Sequence, residues 1–130
     1  MSTIVKGRLG YNLVEKRLLE REFDIYTPIL ENTAIDCIVI KGHKMSRIQI
    51  KTVQLDKRGH AFIPVRKLSN NRNTNKQKLY SKLDIDFFVG VDLENNITYV
   101  VPIDLVEQYT SAISISILES YKEKYSLMEP

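Results

Sequence analysis

At 130 residues, with 43% hydrophobic and 27% charged side chains, the chain has the make-up of one globular domain with a sizeable core and too little length for two. A formal charge of +3 is too small to identify a nucleic-acid binder by itself, no apolar run approaches the roughly 20 residues a bilayer crossing needs, and the single Cys37 excludes an internal disulfide. Met1 to Val5, followed at once by Lys6 and Arg8, lacks the pattern of a signal peptide, so a cytoplasmic protein with a buried structural thiol is expected, without membrane association.

From about Gly7 to Glu22 the periodicity is helical, with Leu9, Leu13, Val14 and Leu18 forming one apolar stripe. Ile25-Tyr26-Thr27 reads as a short strand halted by Pro28, and Glu31-Asn32-Thr33 as a polar turn. Ile35 to Ile40 is rich in β-branched residues, while Arg47 to Thr52 alternates polar and apolar; with Gly42-His43 between them, the two predict a hairpin. Asp56-Lys57-Arg58-Gly59-His60 is a basic turn, and Ala61 to Val65 a strand that Pro64 assigns to an edge or a bulge. Leu79 to Leu83 predicts a short helical turn, Ile85 to Asp92 a central strand, and Glu94-Asn95-Asn96 a turn into Ile97 to Val101. Pro102 to Tyr109 starts a short helix whose dipole Asp104 complements. Ser111 to Leu118 alternates Ser and Ile and predicts a half-buried strand or an interface ribbon; Glu119 to Met128, with Tyr121, Tyr125 and Leu127, predicts a closing helix suited to subunit contact, so that residues 111–130 are the expected oligomer interface. The sum is an α/β domain spanning residues 1–130, a mixed sheet flanked by helices, with no zinc spacing, Gly-rich phosphate loop or hydrolase Ser motif.

The hairpin carries the chemistry. A turn centred on Gly42-His43 pairs residues whose numbers sum to 85, which sets Asp36 opposite Gln49. Side chains on a strand alternate, so Gln49 and Lys51 share a face with Asp36 while Ile48 and Ile50 point into a core. A carboxylate, an amide oxygen and the Ile50 carbonyl are the ligands a hard divalent cation takes, and a neighbouring Lys51 can orient or activate a water or neutralise charge on a phosphate. The same spacing also describes an ordinary cross-strand ion pair of Asp36 with Lys51.

Charge is unevenly spread. From Arg58 to Lys82 the chain holds Arg58, Arg66, Lys67, Arg72, Lys76, Lys78 and Lys82 and no acid. Within it, Asn70, Asn71, Arg72, Asn73, Asn75 and Gln77 are side chains suited to base edges, and Lys76 and Lys78 to phosphates, so the loop 66–80 is expected to contact DNA unless it is simply a solvated loop. Lys57 and His60 in the basic turn, and Lys6 and Arg8 at the helix start, extend that footprint.

Taken in order, Lys6-Gly7-Arg8-Leu9-Gly10, Pro28, Ile35-Asp36-Cys37-Ile38, Arg47-Ile48-Gln49-Ile50-Lys51-Thr52, Asp84-Ile85-Asp86-Phe87-Phe88 and Tyr99-Val100-Val101-Pro102 resemble the PD-(D/E)XK nuclease core and, within it, the small homing endonucleases encoded in bacterial group I introns. The collinear matches run from Lys6 to about Ile117. The resemblance implies a restriction-endonuclease-like core that hydrolyses phosphodiester bonds of double-stranded DNA with Mg²⁺, or another divalent cation such as Mn²⁺. Asp36, Gln49 and the Ile50 carbonyl would hold the metal, and Lys51 would orient or activate water. A long target read by symmetric subunits implies a homo-oligomer, a dimer or rather a tetramer, because a 15.1 kDa chain covers little DNA. One position departs from the pattern: the family's Glu directly after the second Gly is here Tyr11. Either Glu15, about one turn further along the helix, supplies the missing carboxylate, or the metal site is impaired, with Tyr11 packed over it and donating its hydroxyl. A Holliday junction resolvase, and a DNA-binding form of the nuclease fold without catalysis, are the alternatives.

Overall fold

A computed structural model of the chain describes residues 1–30, 33–67 and 78–130. Helix α1 spans Thr3–Glu20, starting four residues before the expected Gly7 because Ser2 caps it, its Oγ accepting from the Val5 N–H at 3.2 Å. Its first two turns stand clear of the body, and its later turns bury Gly10, Val14 and Leu18.

Strands β1 (Asp24–Tyr26), β2 (Cys37–Lys41), β3 (Lys44–Thr52), β8 (Phe87–Asp92) and β9 (Ile97–Pro102) make one five-stranded sheet in the order β1-β2-β3-β8-β9. Only β3 and β8 run parallel; the other neighbours are antiparallel, so the sheet is mixed as expected. β8 is buried on both faces, which is why Phe87-Phe88-Val89-Gly90-Val91 reads as a continuous apolar run rather than an alternating one.

Each face of the sheet has its own core. On one side Cys37, Val39, Ile48, Val89, Val91 and Val100 pack with Val14 and Leu18 of α1 and with Tyr125 and Met128. On the other, Phe88, Tyr99 and Val101 pack with Ile63, Val65, Tyr80, Ile85, Ile103, Ile113 and Leu118. This second face is covered by α2 (Ile103–Val106) and by a small sheet of β4 (Gln54–Leu55), β5 (Ala61–Pro64) and β10 (Ala112–Ser114), in the order β10-β5-β4. A two-stranded ribbon, β6 (Arg66–Lys67) with β7 (Lys78–Leu79), completes the strands.

Several expectations are corrected. The Pro64 strand is central, not an edge; β4 pairs only with Ala61 and Phe62, while Val65 donates to Ser111 on the β10 side, so the proline nitrogen lies on the flank of β5 that β4 does not reach and no donor is needed there. Leu79 belongs to β7, and the expected helical turn lies two residues later, at Ser81–Ile85, where Asp84 and Ile85 donate to the Ser81 carbonyl. The Ser/Ile alternation stays extended only over Ala112–Ser114 and then winds into a 3₁₀ helix, Ile115–Tyr121. The closing α-helix is a second 3₁₀ helix, Tyr125–Met128, broken from the first where Glu123 adopts φ 53°. Glu123 is held there by Thr98, whose N–H and Oγ1 both bond its carboxylate at 2.9 Å, while the Thr98 hydroxyl also meets the Tyr125 hydroxyl at 2.7 Å.

Gly10 sets how closely α1 approaches the sheet: a Cβ there would lie 3.0 Å from Thr52 Cγ2 and 3.7 Å from Val91. Gly10→Val should therefore destabilise the fold by about 1–3 kcal/mol through overpacking. A second change, Thr52→Ala, should recover part of that loss, as read from urea unfolding midpoints. On the neighbouring strand, Thr98→Val removes the hydroxyl that Tyr125 Oη and the Glu123 carboxylate share, leaving Glu123 the residue 98 N–H and Arg17, and should cost about 1–3 kcal/mol in the same assay.

Candidate active site

The hairpin pairs Cys37 with Ile48 and Lys41 with Lys44, the register that sets Asp36 opposite Gln49. Asp36, one residue before β2, is fixed by two bonds to β3: its N–H donates to the Ile48 carbonyl at 2.8 Å, and its Oδ2 accepts from the Ile50 N–H at 2.7 Å. A cleft of about 360 Å³ opens here, lined by Gly7 and Tyr11 of α1, Asp36, Gln49 to Thr52 of β3, Gln54 and Pro64. The structure thus gathers Asp36, Gln49, Ile50, Lys51 and Tyr11 around one space.

Burial disfavours the charged form of both ionisable groups that face the cleft from the hairpin. Burial raises the Asp36 carboxyl above its usual value, opposed by the Ile50 N–H and the Lys51 charge. Burial also pushes the Lys51 ammonium below its usual value, opposed by Asp36. Lys51 Nζ lies 5.0 Å from the Tyr80 ring centroid and 5.9 Å from that of Phe88, so the amine rests on an aromatic floor at the cleft wall. Gln49 Nε2 donates to the Ile50 carbonyl at 3.4 Å.

Tyr11 takes the place of the expected acid without its charge. Its hydroxyl is buried with no hydrogen-bond partner, and burial, with Cys37, Glu15 and Asp36 nearby, pushes its pKa up to about 12. Arg8 covers the ring at 5.3 Å. Glu15 is half-buried one turn on and near enough to raise both Tyr11 and Cys37, but does not line the cleft. Among the described residues no three His, Cys, Asp or Glu side chains form a metal-sized cluster. Cys37 is 1% exposed, and its thiol is pushed up to about 12 by burial and then by Asp36 and Glu15, which makes it a structural thiol.

The residues expected to touch DNA lie on separate elements. Lys6 and Arg8 are exposed on the free turns of α1, either side of the cleft-lining Gly7. Lys57, Arg58 and His60 are exposed in the turn between β4 and β5, where Asp56 Oδ1 accepts from the N–H groups of Arg58 and His60 at 2.8 and 2.9 Å. Arg66, in β6, donates from Nε to the Thr110 carbonyl. Lys67 and Lys78 fall on the β6–β7 ribbon. Asn70, Asn71, Arg72, Asn73, Asn75, Lys76 and Gln77, like Glu31, lie outside the described residues.

Sequence reasoning passed over two parts of the site. Arg47 donates to Asp86 Oδ2 and Oδ1 at 3.1 Å each and to the carbonyls of Lys82 and Leu83, while its N–H meets Asp86 Oδ2 at 2.7 Å. Burial pushes the Asp86 carboxyl up, but these bonds and the Arg47 charge outweigh it and hold it below the usual range. The clasp locks β3 against β8, and only the alternation of Arg47 with Gln49 and Lys51 hinted at it. The second omission is the aromatic floor, because Tyr80 is brought under Lys51 by tertiary packing that no local spacing encodes.

A mixed sheet with α1 on one face, and a hairpin presenting acid, amide and amine to a cleft beside that helix, define a restriction-endonuclease-like nuclease fold. A family model for the PD-(D/E)XK endonucleases matches residues 1–128, and the chain belongs to that family. The solved structure of a bacterial homing endonuclease, I-Ssp6803I, shares the fold with a TM-score of 0.86 over 98% of this chain and 93% of that one, at 23% identity. No curated protein matches by sequence.

A carboxyl whose folded value lies above its unfolded one costs stability as pH rises through that interval, and the cost persists at neutral pH. Asp36→Asn keeps an oxygen for the Ile50 N–H and removes the half-buried charge. Its urea midpoint should exceed that of the parent at about pH 8 and converge with it at about pH 4, near the ordinary carboxyl value. Cys37 should react with a thiol reagent only at the rate of unfolding, in a chromogenic disulfide-exchange assay with and without urea.

Proposed function

We propose that this chain, as one nuclease domain, cuts double-stranded DNA site-specifically by hydrolysing phosphodiester bonds with the aid of a divalent cation. The observation that carries the reading is the convergence of Asp36, Gln49, the Ile50 carbonyl and Lys51 on one cleft flanked by Lys6 and Arg8. The donors are hard oxygens, which suits Mg²⁺ or Mn²⁺, and the partnerless Tyr11 hydroxyl adds a polar atom at the same place. Asp36, Gln49 through its amide oxygen, and the Ile50 carbonyl would hold such a cation; with a single carboxylate, their affinity for it would be modest without DNA phosphates. When bound, the cation supplies positive charge to the scissile phosphate and lowers the pKa of a water. Lys51 places its ammonium beside that phosphate, orients the attacking water and offsets charge building on oxygen. Tyr11, neutral with its pKa near 12, offers a hydrogen bond and no charge.

We further propose a homing role, which the likeness of fold supports without establishing: a long target, a cytoplasmic setting, an origin in a group I intron, and a homo-oligomer, dimer or tetramer with the tetramer favoured. Within residues 111–130, Tyr125 and Met128 are spent in the chain's own core, leaving the outer side of the first 3₁₀ helix, with Ile117 43% exposed, as the surface for a partner subunit. Tyr11 favours a second reading, a DNA-binding form of the fold with impaired cleavage.

Incubation with supercoiled plasmid libraries and Mg²⁺ separates these. The parent should nick or linearise DNA, and Asp36→Ala and Lys51→Ala should each slow cleavage by about 10²–10⁴-fold at unchanged DNA affinity. Cleavage by Tyr11→Glu alone identifies an impaired nuclease; failure of both Tyr11→Glu and the parent to cut any duplex overturns the proposal.

A further inference from the structure

We propose that Tyr80 is a positioning residue of this cleft: its ring, braced by Phe88, holds the Lys51 ammonium in place and ties that placement to the β6–β7 ribbon. The inference rests on the reading of Lys51 as the working amine. Tyr80 and Phe88 meet edge to face, their centroids 5.0 Å apart at 87°, and both lie close to Lys51 Nζ. The two rings are anchored differently. Phe88 is wholly buried and pairs with Gln49 in the parallel ladder, so it moves only with the sheet. Tyr80 belongs to no strand; it follows directly on β7, whose Leu79 pairs with Arg66 of β6. It is 7% exposed, and it also walls a second cavity of about 220 Å³ lined by Val65, Leu79, Val106 and Tyr109, which gives the ring room to shift.

An ammonium on a four-carbon stem has many rotamers, and the negative face of a ring confines it without neutralising it. Displacement of the ribbon, by a duplex lying along it, then changes where Lys51 points. The Tyr80 hydroxyl is not required for this; the ring is.

The test compares Tyr80→Leu and Tyr80→Phe with the parent on a linear duplex selected for binding from a random pool. Single-turnover cleavage in Mg²⁺, at a temperature where both variants are folded, should fall about 10-fold in Tyr80→Leu and stay within about twofold in Tyr80→Phe, with DNA affinity unchanged in both; the urea midpoint should fall in Tyr80→Leu, which loses a core ring. Independently of cleavage, the Lys51 ε-methylene protons should resonate upfield through the ring currents, lose that shift in Tyr80→Leu, keep it in Tyr80→Phe, and move when the duplex is added. Undiminished cleavage by Tyr80→Leu, a loss that tracks DNA affinity or is not restored by Phe, or an upfield shift that survives Tyr80→Leu overturns the inference. Unimpaired cleavage by Lys51→Ala overturns the reading of Lys51 instead.

Discussion

The site depends on keeping one carboxylate half-buried at the mouth of a hairpin. Asp36 is unfavourably placed as a charge, and the Ile50 N–H and the Lys51 ammonium offset that cost only in part. Such a position is tenable because the register is fixed. A slip of one residue would turn Gln49 and Lys51 toward Val14 and Leu18 and bring Ile48 into the cleft, exchanging the buried isoleucine of β3 for a polar side chain. Hydrophobic burial on the α1 face thus enforces the polar arrangement on the other.

The parallel pairing of β3 with β8 is secured from outside the cleft. Arg47 and Asp86 clasp the two strands just before their first paired residues, Ile48 and Phe87, and the register there sets Gln49 beside Phe88 and Lys51 beside Gly90. Gly90 matters for its missing side chain: a Cβ would stand 3.2 Å from Ile63 Cγ2, so its absence lets β5 pack close to the sheet and brings Pro64 to the cleft.

The hairpin was legible because alternation in Arg47 to Thr52 and the Gly42-His43 turn leave little choice of pairing, and the collinear motifs pointed to the family that residues 1–128 match. Three features were not legible, each for a physical reason. The Ser2 cap overrode a glycine that looked like a helix start. The Ser/Ile repeat carries period two, but from Ile115 the chain curls so that Leu118 reaches the second core, and tertiary burial outweighs the pattern. The aromatic floor under Lys51 joins residues far apart in sequence, which no window along the chain contains. Glu15 shows the limit of helical spacing as an argument: it follows Tyr11 by four residues, yet the cleft is lined by Gly7 and Tyr11 alone from α1.

Tyr125 and Met128 seal the core beneath α1, packed with residues from the first half of the chain. During synthesis, therefore, the part of that core which Tyr125 and Met128 cover stays open until residues 125–128 have emerged from the ribosome. A product interrupted upstream of Tyr125 would carry the acid, amide and amine but lack the plug that holds their scaffold together, leaving it open to proteases. The order of residues thus confines a complete cleft to molecules translated through that point.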